Sequence, residues 1–333
     1  MAMARRSDSG FNLREAATVV VVAEGGIKRW IRTAGEGGWT LIETSRRALF
    51  QWLASVICKN GSRRTRVETT VCRTSVGIPF AKPPIGELRF QKPVPPDPWT
   101  GVLSAKKFAP RAIQKDVTMF DSWEKGTASE DCLYLNVFTP AWEAPEGGFP
   151  VMFYVHGGAF AMETPISLGD VGICEALVQK GVVVVTFQYR LGYMGFFYTG
   201  DETCASNVAL WDQCEALKWV HANIGAFGGD AGNITLFGQS AGGASVDLLH
   251  LSPHTTNLFH RFIPMAGNAC AHWVLSPCMK LQCEKKARQL GITFESSYEM
   301  MRKLRELPAS ALAINIVHSR SGRTGWIPSR SAR

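Results

Sequence analysis

A serine with a glycine two residues away on each side, Gly238-Gln239-Ser240-Ala241-Gly242, is the strongest chemical signal in this chain. A turn that lifts a serine above a sheet is so sharp that side chains two positions away would collide, and Gly238 and Gly242 remove the collision. The segment that follows, AGGASVDLLHL at 241–251, is predicted as a helix. Its first N–H, that of Ala241, then has no intrahelical acceptor and can donate to an oxyanion formed beside the serine. The chemistry this implies is nucleophilic acyl transfer through the Ser240 hydroxyl.

A second turn supplies the complementary part. Val155-His156-Gly157-Gly158-Ala159-Phe160 follows directly on the apolar run PVMFYV at 150–155. Adjacent glycines after a strand allow successive N–H groups to face one point. Joined to the Ala241 N–H, they would complete the donor set of an oxyanion hole, where the loss of one donor typically costs ~3 kcal/mol of transition-state stabilisation. His156 reads as a residue of this turn rather than as a base. The neighbouring acids Glu130 and Asp131 read as structural rather than catalytic.

The elements that must position these turns can be read from the hydrophobic pattern. Strands are predicted at 133–138, 150–155, 182–188, 234–237 and 262–266, and helices at 169–180, 207–227, 241–251, 279–290 and 296–307. Continuous apolar strands alternating with helices predict an α/β fold built on a mostly parallel twisted sheet with flanking helices. The stretch 77–99 carries seven of the chain's 17 prolines, which predicts an extended, rigid surface segment. Ahead of it, 16–23 is predicted as a short buried strand, and the apolar stripe within 39–58 as an amphipathic helix.

Composition narrows the function classes. The 333 residues are 46% hydrophobic and 19% charged, enough apolar material for a large core. The net charge of +8 gathers at the two ends, with Arg320, Arg323, Arg330 and Arg333 in the last stretch. Neither basic–aromatic alternation nor zinc-ligand spacing occurs, so no nucleic-acid module, no metal site and no cofactor is expected. The eight-residue run at 16–23 is bracketed by Glu15 and Glu24, too short for a membrane span and badly flanked for a secretory signal. Nine cysteines, an odd number without a C-x-x-C, give no disulfide framework, and Cys174 and Cys214 read as small buried hydrophobes.

Residues 77–317 resemble the N-terminal half of a type-B carboxylesterase, the cholinesterase-like branch of the α/β-hydrolase superfamily. The resemblance rests on GIPFAKPPIGELRF (77–90), SEDCLYLNVFTP (129–140), YVHGGAF (154–160), FQYRLGYMGF (187–196), FGGDAGNITLFGQSAGG (227–243) and LSPHTTNLFHRFIPMAGNA (251–269). It implies an α/β-hydrolase fold, a small-molecule ester as substrate, and Ser240 as nucleophile. Gly158, Ala159 and Ala241 would then supply the oxyanion-hole N–H groups; alanine at 159, where many members have glycine, retains its N–H. The resemblance also implies two structural ion pairs, Arg89 with Glu130 and Arg190 with Asp212. Cys132 is left a free thiol, because Ala112 stands where the family has its partner cysteine, and this favours a cytoplasmic over a secreted setting.

The resemblance organises the chain as an N-terminal segment (1–65), a partial carboxylesterase domain (66–317) and a basic tail (318–333), with the family's C-terminal strands and helices missing. In relatives the serine works with an acid and a histidine placed roughly 100 and more than about 200 residues later, whereas 93 residues follow Ser240 here. His250, His254, His260, His272 and His318 fall where the family has no base. Two readings follow: an ester hydrolase, or a catalytically inactive chain acting as a binding module. Gln239, where cholinesterases carry glutamate, favours general carboxylesterase over cholinesterase chemistry. Poor solubility is expected for the chain alone, from an exposed sheet edge.

Overall fold

The computed structural model describes residues 72–115 and 126–313, together with the backbone of three strands near the N-terminus. The chain falls into two compact units, Met1–Ser62 and Arg63–Arg333. In the first, β1 (Ala17–Ala23), β2 (Gly26–Arg32) and β3 (Trp39–Thr44) form an antiparallel sheet in the order β1-β2-β3. The strand expected at 16–23 is present. The helix expected to begin at 39 is not: WTLIET is rich in β-branched and aromatic residues and pairs along its whole length with β2, from Trp39 against Arg32 to Thr44 against Ile27. The rest of that expected helix lies outside the described residues, as does the basic tail.

The second unit is built on a six-stranded sheet of order β11-β10-β8-β9-β7-β4. Its strands are β4 (Cys72–Pro79), β7 (Tyr134–Pro140), β8 (Phe149–Val155), β9 (Val183–Phe187), β10 (Gly229–Gln239) and β11 (Arg261–Met265). A two-residue parallel pair, β5 (Arg111–Ala112) with β6 (Ala128–Ser129), stands apart from it. Strands β8 to β11 pair in parallel, whereas β7 and β4 run antiparallel, so the sheet is mixed rather than uniformly parallel. The sequence pattern did not separate the two cases, because β7 is buried along nearly its whole length like the parallel strands.

Burial explains the pattern. Val183, Val184, Val185 and Phe187 of β9 are all within 1% of fully buried. At ~1.5–3 kcal/mol for each fully buried apolar side chain, central strands of this kind supply much of the drive to fold. Phe153 of β8 stacks on Phe187 at 4.6 Å between ring centroids. Where β4 meets β7 the register shifts at Gly77, whose φ of 75° suits the bulge. Its N–H, displaced from the ladder, donates to Asn136 Oδ1 at 3.0 Å, and Asn136 Nδ2 donates to Thr186 Oγ1 at 3.0 Å, so the buried amide is satisfied at both ends.

Among the described residues six α-helices connect and cover these strands: α1 (Val171–Ala176), α2 (Gly192–Phe196), α3 (Val208–Asn223), α4 (Ala241–Leu251), α5 (Met279–Gln289) and α6 (Ser297–Glu306). The helix expected at 169–180 is shorter, since Leu177 breaks from helical geometry and Gly181 closes a 3-10 turn in the left-handed region. The proline-rich stretch lies at the surface over 91–99 as expected, but it turns through a 3-10 helix at Gly86–Leu88, and Phe80 before that turn and Phe90 after it are fully buried, Phe80 edge-on to Phe187.

One further correction concerns sulfur. Cys174 is buried but is not a simple hydrophobe, because it forms a disulfide with Cys72 that ties α1 to the edge strand β4. Cys132 and Cys214 are buried free thiols. Among the described residues no helix is long and apolar enough to cross a membrane, and no group of three or more His, Cys, Asp or Glu is placed to hold a metal ion.

Candidate active site

Ser240 stands where β10 ends and α4 begins, with φ 57° and ψ −119°, a backbone conformation that L-residues rarely adopt. Such a position costs on the order of 1–3 kcal/mol and persists only where its surroundings enforce it. Here the enforcement is close backbone packing. A Cβ on Gly238 would lie 2.5 Å from the Gly242 carbonyl oxygen and 2.7 Å from that of Val155. On Gly242 it would lie 2.1 Å from the Val155 oxygen, and on Gly267 2.1 Å from the Ser240 oxygen. The Ser240 N–H donates to Met265 O of β11 at 2.8 Å, and Ser240 O accepts from Ala244 N at 3.0 Å.

The turn after β8 lies against this elbow. Gly158, Ala159 and Phe160 have φ of 84°, 54° and 59°, three successive left-handed residues. They fold the chain back so that the Ala161 and Met162 N–H groups close on Gly158 O, both at 3.0 Å. Gly157 is packed so tightly against the residue before the serine that a Cβ there would meet Gln239 O at 2.6 Å. Turn and elbow are therefore in backbone contact. Among the described residues the N–H groups of Gly158, Ala159 and Ala241 have no acceptor, and the Ser240 Oγ has no hydrogen-bond partner. Ser240, Gly158 and Ala159 keep partial access to solvent, while Ala241 is fully buried.

Behind the turn sits a buried aromatic and polar layer. The His156 ring stacks on Tyr189 at 4.2 Å and is 1% exposed, and burial lowers its pKa from 6.5 to about 4. Its Nε2 is buried with no partner among the described residues. The Tyr189 hydroxyl donates to His156 O at 2.8 Å, fixing the turn's carbonyl. Glu163, at the exit of the turn with φ 89°, is raised from 4.5 to about 7 by burial, against which the Gly157 N–H acts in the opposite sense.

Both ion pairs are present. Arg190 grips Asp212 with Nε at 2.8 Å and Nη2 at 2.6 Å, and the Arg190 backbone N–H adds a third bond at 3.0 Å. Arg89 holds Glu130 through Nε at 2.6 Å and Nη2 at 2.5 Å. Its Nη1 also donates to the carbonyls of Leu304, Arg305 and Leu307, closing the C-terminal end of α6. Neither pair touches Ser240.

No described histidine reaches Ser240 either. His250 stacks on Phe262, His254 packs on Trp211, and His260 Nδ1 accepts from the Ile234 N–H at 3.2 Å. Sequence reasoning passed over Glu163 and Tyr189. The only available signal for Glu163 was a single acid in an otherwise apolar run, FAMETPI, just past the glycine turn. Its left-handed backbone and enclosed carboxyl had none.

Comparison with known proteins identifies the family. A model of the carboxylesterase family matches residues 60–330. Esterase cest-33 of Caenorhabditis elegans is 48% identical over 198 residues, covering 58% of this chain and 36% of that protein. Liver carboxylesterase 1 of Oryctolagus cuniculus is 42% identical over 243 residues, 69% of this chain and 42% of its own length. Juvenile hormone esterase of Tribolium castaneum is 43% identical over 242 residues, 71% of this chain and 40% of its own length. The chain spans about two-fifths of the length of these curated relatives.

Proposed function

The chain belongs to the carboxylesterase family, and from that membership we propose that it carries the nucleophilic half of a carboxylic-ester hydrolase site. The mixed sheet with flanking helices is that of the α/β-hydrolase fold. In this reading the Ser240 Oγ attacks the carbonyl carbon of an ester, and the oxygen that becomes negative is received by the N–H groups of Gly158, Ala159 and Ala241. The alcohol leaves, and water then releases the acid from the acyl-serine. The observation that supports the reading is the backbone contact between Gly157 and Gln239, which sets the turn bearing the Gly158 and Ala159 N–H groups against the elbow bearing the strained Ser240 and the Ala241 N–H. The relatives' names include general carboxylesterases and a juvenile hormone esterase. Gln239, an uncharged neighbour of the nucleophile, supports general ester substrates over cationic choline-type ones.

A serine hydroxyl without a base is a poor nucleophile at neutral pH. That no described histidine contacts Ser240 favours a second reading, in which this chain binds ester-like ligands without turning them over. Treatment with a fluorophosphonate, peptide mapping of the adduct, and assay with a short-chain aryl ester separate the two. The hydrolase reading expects a label on Ser240 that is lost in Ser240→Ala, together with ester turnover. A label without turnover supports the second reading. A folded chain that takes no label overturns the first.

A further inference from the structure

Glu163 is a carboxyl group that neither reading uses. Its backbone is fixed on both sides by one side chain: Glu163 N–H donates to Gln114 Oε1 at 2.9 Å, and Gln114 Nε2 donates to Glu163 O at 2.9 Å. Held with φ 89°, the residue keeps some surface while its carboxyl group turns inward onto Gly157. A Cβ built on Gly157 would stand 3.2 Å from Glu163 Oε2 and 3.1 Å from Gln239 Oε1. The two side chains thus meet over the bare face of one glycine, Glu163 from the exit of the oxyanion turn and Gln239 from the position before Ser240.

Among the described residues no cation pairs with the carboxyl. Tyr154 at the end of β8 and Tyr189 after β9 face it, each with its own ionisation opposed by burial and by the negative charge of Glu163. His156, on the same turn, is uncharged near neutrality. Gln114 and Gln239 are neutral, and Glu163 has no ion-pair partner among the described residues.

We propose that Glu163 is a positioning residue of the oxyanion turn, whose charge state acts through Gly157 and Gln239 on the negative charge the turn is built to receive. The inference rests on the reading of Ser240 and the turn given above. As a neutral acid, Glu163 lies over Gly157 without adding charge to the turn. As a carboxylate, it sets an uncompensated negative charge beside the place where an oxyanion forms, which weakens that place. Burial moves this change of state to about pH 7.

Two measurements on wild type, Glu163→Gln and Glu163→Asp test the proposal, and a third checks the titration. The first is the rate of fluorophosphonate labelling of Ser240 between pH 6 and pH 8, expressed relative to Glu163→Gln. The second is the affinity for hexanoate, a product-like anion, followed by NMR shifts over the same range, which needs no reactive serine. For wild type and Glu163→Asp both quantities should fall about three- to tenfold relative to Glu163→Gln as pH rises. The check is melting temperature: the folded pKa lies above the unfolded one, so wild type should lose stability relative to Glu163→Gln as pH rises from about 4.5 to about 7. A melting difference that is flat in pH overturns the proposal, and so does one that moves while hexanoate affinity does not. Failure of Ser240 to label overturns the hydrolase reading alone, because hexanoate affinity then decides for Glu163.

Discussion

Gly242, in the first turn of α4, is pressed so closely against the end of β8 that a side-chain carbon there would lie 2.1 Å from the Val155 carbonyl oxygen. The same backbone leads through Val155 into His156 and the glycine turn, so the helix carrying the Ala241 N–H and the turn carrying the Gly158 and Ala159 N–H groups share one rigid seam. The atom in the way is main chain, which cannot swing aside as a flexible side chain can. Gly242→Ala should therefore destabilise the fold by about 3 kcal/mol or more, through overpacking that moves a strand. Gly225→Ala is the control, since nothing stands within 4 Å of a Cβ there, and it should lie within about 0.5 kcal/mol of wild type. Urea denaturation of the two variants measures the contrast.

Strain at Ser240 predicts a stability gain on replacing it by glycine. Glycine accepts φ 57° and ψ −119° freely, whereas alanine keeps the steric cost of serine. Ser240→Gly should exceed Ser240→Ala by about 1 kcal/mol, the relieved strain being partly offset by the greater freedom of glycine in the unfolded chain. Both variants should lose fluorophosphonate labelling completely. Equal denaturation midpoints would show that the elbow stores no strain.

The Arg190–Asp212 pair has side chains that are 2% and 0% exposed, which makes it a matter of stability and not of catalysis. Asp212→Ala leaves a buried guanidinium whose Nη1 already has no partner among the described residues. The expected loss is about 3–5 kcal/mol, because an unpaired buried charge remains. Replacing both residues by apolar side chains of similar size should recover much of it, as a double-mutant cycle in urea would show.

Cysteine chemistry can be checked by alkylating the native protein. Cys270 and Cys278 are exposed and should react first, while Cys132, Cys204, Cys214 and Cys283 are buried, with thiols pushed up to about 12 or beyond by burial, and should react only on unfolding. Cys72 and Cys174 should appear as one linked peptide under non-reducing digestion. Their bond spans 102 residues, so its reduction should lower stability by up to ~4–5 kcal/mol on the chain-entropy account.

Legibility in the sequence followed the range of the interactions. The helix after Ser240 was read at 241–251, and α4 runs over Ala241–Leu251, because glycine placement and apolar period are local signals. Strands β7, β8, β9 and β11 were found to within a few residues for the same reason, and β10 in its C-terminal part, whereas the edge strand β4 and the short pair β5 and β6 were not foreseen. What escaped depends on partners far away in the chain. Trp39–Thr44 is a strand because of its pairing with β2, while its apolar stripe alone suited a helix. Cys174 meets Cys72 only after α1 has packed against β4, and spacing could not announce that. The ion pairs of Arg89 and Arg190 came from resemblance, since no sequence pattern links residues 41 and 22 positions apart. Glu163 shows the same limit within the site, where a left-handed backbone and an enclosed carboxyl have no signature in residue type.

His156 and Glu163 make opposite contributions to stability across overlapping ranges of pH, and the pair can be separated. The folded pKa of His156, about 4, lies below its ordinary 6.5, because the ring is buried against Tyr189. Its contribution is therefore complete above about pH 6.5 and is lost as pH falls towards about 4. The full loss is of the order of a few kcal/mol. Glu163 acts in the reverse sense, its contribution being lost as pH rises from about 4.5 to about 7. Wild-type stability between pH 5 and pH 7 should therefore be nearly level, two opposed slopes cancelling. In Glu163→Gln the His156 slope should stand alone, with stability dropping steadily below about pH 6.5. Adding His156→Phe, which keeps an aromatic ring against Tyr189 and has nothing to protonate, should flatten the curve again. Urea denaturation of the three proteins at half-unit steps from pH 4.5 to pH 7.5 reads these slopes directly, and a Glu163→Gln curve as flat as wild type would show that the His156 ring is already free to charge in the folded chain.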